Sequence, residues 1–212
     1  MDNNSYRFTQ LFNRTWGLMI KPRKEWIKIA SEKPSVVGLL FKYVLVLALI
    51  PPFFILFYVL IFEHKDIFLR LTGFYYGYTK AISNYCTSII SIYFISFIMN
   101  KLAPSFGAEK NYGRALQTIV FSMTPYWVCG FIYQIPGLST YLIVLVAIYA
   151  IYLLFSGLPL MMKTPAKKAA SYAVVTFVFT ILVVSVLNLL SKELLNLIFQ
   201  STSDISIKGS MF

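Results

Sequence analysis

Residues 43–62 read YVLVLALIPPFFILFYVLIF, twenty positions without a charged side chain. A helix needs roughly 20 apolar residues to span the ~30 Å hydrocarbon layer. Four more charge-free runs follow: Ala81–Asn100, Ala115–Gln134, Leu138–Met162 and Ala169–Leu190, of 20, 20, 25 and 22 residues. Together the five hold 107 of 212 residues, and the 19 Lys and Arg crowd into the gaps. The pattern predicts an all-α, polytopic integral membrane protein with five transmembrane helices and an N-terminal amphipathic interfacial segment.

The composition excludes other classes. A hydrophobic share of 58% with only 13% charged residues lies far from the ~25% charged residues usual in soluble domains. Residues 1–42 are too short to form a core of their own, so they read as a basic cytoplasmic lead-in. Residues 43–199 then form one transmembrane domain, and 200–212 a short outer tail. The net charge of +11 fits anionic headgroups, which attract each nearby Lys or Arg by about 1 kcal/mol. Nucleic acid is not expected as a partner.

Orientation follows from where the charges fall. The lead-in carries Arg7, Arg14, Lys21, Arg23, Lys24, Lys28, Lys33 and Lys42. The second-to-third connection adds Lys101, Lys110 and Arg114, and the fourth-to-fifth adds Lys163, Lys167 and Lys168. Five spans put these 14 basic residues on one side and the other five opposite. The positive-inside rule then makes the N-terminus cytoplasmic and the C-terminus external. No cleavable signal pattern precedes the first run. Cys86 and Cys129 both fall inside runs and read as small buried thiols.

Within the lead-in, Phe8, Leu11, Phe12, Thr15, Trp16 and Met19 recur at helical spacing, and Trp26, Ile27, Ile29 and Ala30 repeat the pattern after Pro22. Two short helices follow from this. Either they lie in the headgroup region with Trp16 and Trp26 as interfacial anchors, or the same faces pack on the cytoplasmic end of the bundle. Arg23, Lys24 and Lys28, with Lys163, Lys167 and Lys168, are the candidate contacts to anionic lipid. Thr164-Pro165 reads as an N-cap and first-turn proline opening the fifth helix.

Prolines interrupt the first and third runs. Pro51 and Pro52 deprive Leu47 and Ala48 of helical donors, and Pro125 does the same to Phe121, so kinks are expected at both places. Such breaks mark substrate sites in some transporters and are plain bends in many other membrane proteins. A polar face on the second run, Lys80, Asn84, Thr87, Ser88 and Ser91, is joined by Arg114 and Gln117 on the third. Groups of this kind link helices. They are also the candidate lining of a polar cavity for a lipid or small solute.

No reaction is written in the chain. The five runs hold no His, Asp, Glu, Lys or Arg, so neither a nucleophile–base pair nor a metal site is assembled within them. All eight acids lie outside the runs, unlike machines driven through intramembrane carboxylates. His64, the single histidine, has no ligand or nucleophile at useful spacing. No catalytic residue, metal or cofactor is expected.

Taken in order, Pro22, Trp26 and Ile29, then Tyr112-Gly113-Arg114-Ala115, Ser122-Met123-Thr124-Pro125, Ile135-Pro136-Gly137-Leu138, Tyr149-Ala150-Ile151-Tyr152 with Gly157-Leu158, and Pro165-Ala166-Lys167-Lys168-Ala169 form a recognisable series. The chain resembles bacterial members of the Yip domain family over roughly residues 10–190. The family is named for eukaryotic Golgi proteins that bind Rab/Ypt GTPases. The resemblance implies five spans with the N-terminus inside, here in a bacterial inner (cytoplasmic) membrane. It implies no catalytic residues. The long N-terminal region with a D-L-x-G-P-type motif is not in this chain, so GTPase binding is not implied. The function expected is a non-enzymatic membrane scaffold or adaptor, binding lipid, a membrane-protein partner or its own copies. The alternative is a transporter or channel that uses the polar face of the second helix and the kinked first and third.

Overall fold

The computed structural model describes the backbone of residues 3–33, 35–62, 67–134 and 139–209, with side chains over 9–33, 35–61, 77–131 and 140–197. His64 and Ile135-Pro136-Gly137 lie outside the described residues. Every element among the described residues is helical.

Two helices come first, α1 (Asn3–Ile20) and α2 (Pro22–Ser31), with Pro22 in the first turn of α2 where its missing N–H costs nothing. The first membrane helix, α3, covers residues 36–62 in pieces. Ser35 caps it by accepting the Gly38 amide at 3.1 Å. A wider π turn spans Leu40–Val44, and the helix breaks at Ala48 and Leu49 before restarting over Ile50–Phe62. The break falls one turn ahead of Pro51-Pro52, where the proline rings remove two donors.

The second membrane helix, α4 (Ile67–Leu102), is longer than expected. Residues 67–80, read from sequence as part of an outer loop, are helical and continuous with the span. Arg70 and Lys80 therefore sit on this helix and not in a connection. After a 3₁₀ turn over Ala103–Phe106, Gly107 takes φ +70°, a left-handed conformation that suits a residue without a Cβ.

The third run differs most from the others. It forms α5 (Tyr112–Ser122), breaks at Met123, resumes as α6 (Thr124–Val128) and ends in a 3₁₀ segment, Cys129–Gln134. Asn111 caps α5 by accepting the Arg114 amide at 3.1 Å. Ala115 through Ser122 are all buried, as are Thr124, Pro125 and Trp127. This broken segment is the core of the bundle. Irregular backbone at membrane depth is tolerated where protein, rather than lipid, surrounds it. The 3₁₀ segment packs on the first membrane helix just past its break, since a Cβ added at Gly130 would lie 2.7 Å from the Pro51 ring.

Last come α7 (Ser139–Met161) and α8 (Ala166–Gly209). Four helices among the described residues are long and apolar enough to cross a membrane: Val36–Ile61, Gly77–Phe106, Thr140–Met161 and Ala166–Leu197. The third run is not one of these.

Cross-links gather the connections at one end. Lys163 Nζ pairs with Glu109 at 2.7 Å, and the Glu109 amide donates to the Met162 carbonyl at 2.8 Å. The fifth-helix N-cap expected at Thr164 does not form. The helix starts at Ala166, the Pro165 carbonyl accepts from the Lys168 and Ala169 amides, and the buried Thr164 hydroxyl has no partner among the described residues.

Candidate functional site: an amphipathic cleft beside an inserted hairpin

The α1–α2 hairpin packs along the bundle. Trp26 is fully buried, edge-on to Phe121 at 6.2 Å between ring centroids, and its indole meets Gly157 so closely that an added Cβ would sit 2.7 Å from it. Farther along α7, the Tyr149 hydroxyl donates to the carbonyls of Leu18 and Met19 at 2.9 Å each. Tyr149 precedes Met161 by 12 residues, roughly 18 Å at 1.5 Å per residue. The hairpin therefore reaches well below the end of the bundle.

Its outer face is apolar. Phe12, Trp16 and Ile20 are exposed at four-residue spacing, and Phe12 stacks on Trp16 at 6.0 Å. The two tryptophans grouped by sequence thus part company. Trp16 is 58% exposed and faces outward, whereas Trp26 is 0% exposed and serves as a packing residue between α2 and α7.

Where the hairpin meets α3 and α5, charged groups collect. Arg14 donates through both terminal nitrogens to Glu32, at 2.8 Å from Nη1 to Oε2, and its Nε lies 3.7 Å from Glu25. The same guanidinium sits over the Phe121 ring, 5.6 Å from its centroid. Lys28 Nζ reaches Glu25 at 3.1 Å. The Glu25 side chain is only 7% exposed and lies beside both of these cations. The bidentate hydrogen bond holds the Glu32 carboxyl below its usual range and raises Arg14 above its own. Deeper, the Tyr43 hydroxyl and Thr124 Oγ1 share a hydrogen bond at 2.8 Å, beside Thr15.

Above this cluster opens a cleft of about 710 Å³. Its lining combines charged groups, Arg14, Glu25, Lys28, Glu32, Lys33 and Lys42, with apolar ones, Leu39, Phe41, Val46 and Phe121. Cleft and cluster were not legible as a site. Their one signal was Glu25 and Glu32, acids inside a strongly basic lead-in, and nothing in the sequence pairs them with Tyr43 or Phe121.

The residues singled out from sequence scatter. Lys80 is exposed on α4. Asn84 is half-buried, its Oδ1 without a hydrogen-bond partner among the described residues. Thr87 bonds Ser191 of α8 at 3.1 Å, and Ser91 turns back to the Ser88 carbonyl at 2.9 Å. This face joins α4 to α8. Arg114 belongs elsewhere, donating to Gln117 and to the Ile29 carbonyl at 3.3 Å each. Of the seven residues proposed for a cavity, Gln117 lines the cleft. Among the cationic candidates, Lys28 lines it too, while Arg23, Lys24, Lys167 and Lys168 are exposed outside it.

A helical bundle with four long apolar helices around a broken, buried central segment defines an integral membrane protein. A family model for the Yip1 domain matches residues 16–187, and the chain belongs to that family. The matched stretch takes in the last residues of α1 and all of α2. No curated protein and no solved structure matches the chain.

Proposed function

We propose that the protein is a non-enzymatic scaffold or adaptor of the membrane, whose basic end lies in the cytoplasm and holds anionic headgroups. One observation carries this reading: three segments distant in sequence share one end of the bundle. Arg114 reaches Ile29 of the hairpin, and Glu109 meets Lys163 and Met162. These are the segments that hold 14 of the 19 basic residues.

The same contacts support five crossings. α7 ends beside Glu109, so its start lies at the opposite end of the bundle. On this reading the broken third run links the two ends. With five crossings the termini lie on opposite sides, and positive-inside bias puts the N-terminus in the cytoplasm. The bacterial inner membrane is the setting that fits this reading.

Charge reversal tests it. In bilayers of mixed anionic and zwitterionic lipid, the triple variant K163E/K167E/K168E should reduce enrichment of anionic lipid around the protein. Unchanged enrichment would sink the reading. Transport is the competing one, and it needs water on the α4 face. Cysteines at Asn84 and Ser88 that react with water-soluble thiol reagents would favour it, whereas the Thr87–Ser191 contact supports a sealed helix pair.

A further inference from the structure

The charges of the cleft do not balance. Arg14, Lys28, Lys33 and Lys42 face only Glu25 and Glu32. Both acids are already engaged, Glu32 by Arg14 and Glu25 by Lys28 with Arg14 near. Lys33 and Lys42 have no acidic partner among the described residues, and both are exposed at the cleft. Two unpaired ammonium groups beside an already paired cluster leave the cleft with a surplus of two positive charges, which favours an anion there.

The apolar part of the lining restricts what that anion can be attached to. Phe41 and Val46 belong to the first membrane helix, and both are exposed large apolar residues. Leu39 and Phe121 continue the apolar lining inward. A small hydrophilic anion would leave this part bare. An amphiphile would cover it, and a cleft of about 710 Å³ lies within the ~300–1,000 Å³ typical of ligand sites. It has room for a headgroup, a glycerol and the first part of an acyl chain.

We propose that the cleft seats one anionic glycerophospholipid, its phosphate between Lys33 and Lys42 and an acyl chain along Phe41 and Val46. The Arg14–Glu25–Glu32 cluster, in which Glu25 is buried and Glu32 half-exposed, borders the site and fixes the hairpin against which the headgroup rests. This rests on the reading that the basic end meets an anionic leaflet. It adds a single stoichiometric site to what would otherwise be a diffuse lipid shell.

Native mass spectrometry of the full chain, purified in neutral detergent with equal phosphatidylglycerol and phosphatidylcholine, reads the stoichiometry directly. One phosphatidylglycerol should be retained per chain in preference to phosphatidylcholine. K33E/K42E should lower that preference about tenfold or more; both side chains are exposed, so folding is not at stake. Val46→Trp, which fills the apolar part of the cleft, should remove the retained lipid of either kind. K163E/K167E/K168E should thin the loosely bound lipid and leave the single one in place, which separates this site from the wider basic face. Equal retention of both lipids, or a K33E/K42E variant that behaves as the parent, overturns the proposal. So does displacement by excess glycerol 3-phosphate, which would assign the site to soluble phosphate.

Discussion

The third apolar run and α8 look alike in sequence and are built in opposite ways. Ala115 through Ser122 are buried without exception, and the segment breaks at Met123 beside Pro125. α8 continues unbroken from Ala166 to Gly209, and only 17% of its membrane window is buried. The difference follows from what surrounds the backbone. A freed carbonyl facing lipid has no partner, so a helix exposed to lipid must keep its hydrogen-bond ladder whole. Inside the bundle, side chains such as Tyr43, Thr15 and Thr124 supply polar contacts beside the break. Among the described residues, side-chain hydrogen bonds of α8 run to α4 or to its own backbone, as at Ser191 and Thr180.

The strongest way to break this contrast is to remove one large side chain from each region. Phe121 is buried under Arg14, Trp26 and Tyr43. Lipid is as apolar as the core, so the cost of truncation there is mainly lost packing and the cavity left behind. Phe121→Ala should cost about 3 kcal/mol in denaturant titration of the purified protein. Leu182→Ala, on the exposed face of α8, should cost under about 0.5 kcal/mol. Equal losses would mean that the two regions share one environment.

A smaller effect should follow from charge. Glu25→Ala removes a nearly buried carboxylate and leaves Lys28 without it, while Arg14 keeps Glu32. Breaking a buried pair costs about 3–5 kcal/mol when nothing compensates, so with Glu32 in place we expect about 2 kcal/mol. The hairpin should also become more sensitive to trypsin at Lys21, Arg23 and Lys24. Glu193→Ala on α8, at an exposed position, should change neither reading.

These contrasts show which parts of the molecule could be read from its residues. Membrane character was plain, because five charge-free runs of 20 or more residues match the thickness of a bilayer and exceed what a soluble core needs. The break ahead of Pro125 was also legible, since a missing donor is a local fact. Which run lies at the centre was not, because facing lipid and facing protein select the same apolar side chains. Gly130 and Gly157 mark close approach in the bundle, but each acts through a distant partner, Pro51 and Trp26. The hairpin shows the same limit. Helical spacing put Trp16 and Trp26 on apolar faces, but one faces outward and the other into the bundle. The cleft was hidden most completely, as it joins Arg14 and Glu32 to Tyr43 and Phe121 across separate elements.

The subtlest test of the contrast is pH. The hydrogen bond from Arg14 depresses the Glu32 carboxyl. Above the ordinary carboxylate range the folded and unfolded chains both hold Glu32 ionised, and its stabilising contribution is fully present. As pH falls through that range the unfolded chain takes up a proton that the folded hairpin refuses. Stability is lost until the folded carboxyl protonates too. Glu32 is 46% exposed, so solvent screens the pair and the loss should be modest. Among the described residues α8 takes part in no ion pair. Hydrogen exchange corrected for intrinsic rates should therefore show α1 and α2 loosening from neutral to acid pH while α8 stays level. Glu32→Gln should flatten the hairpin's response. If the hairpin and α8 loosen together, acid acts on the whole bundle, and the ion pair does not set the hairpin apart.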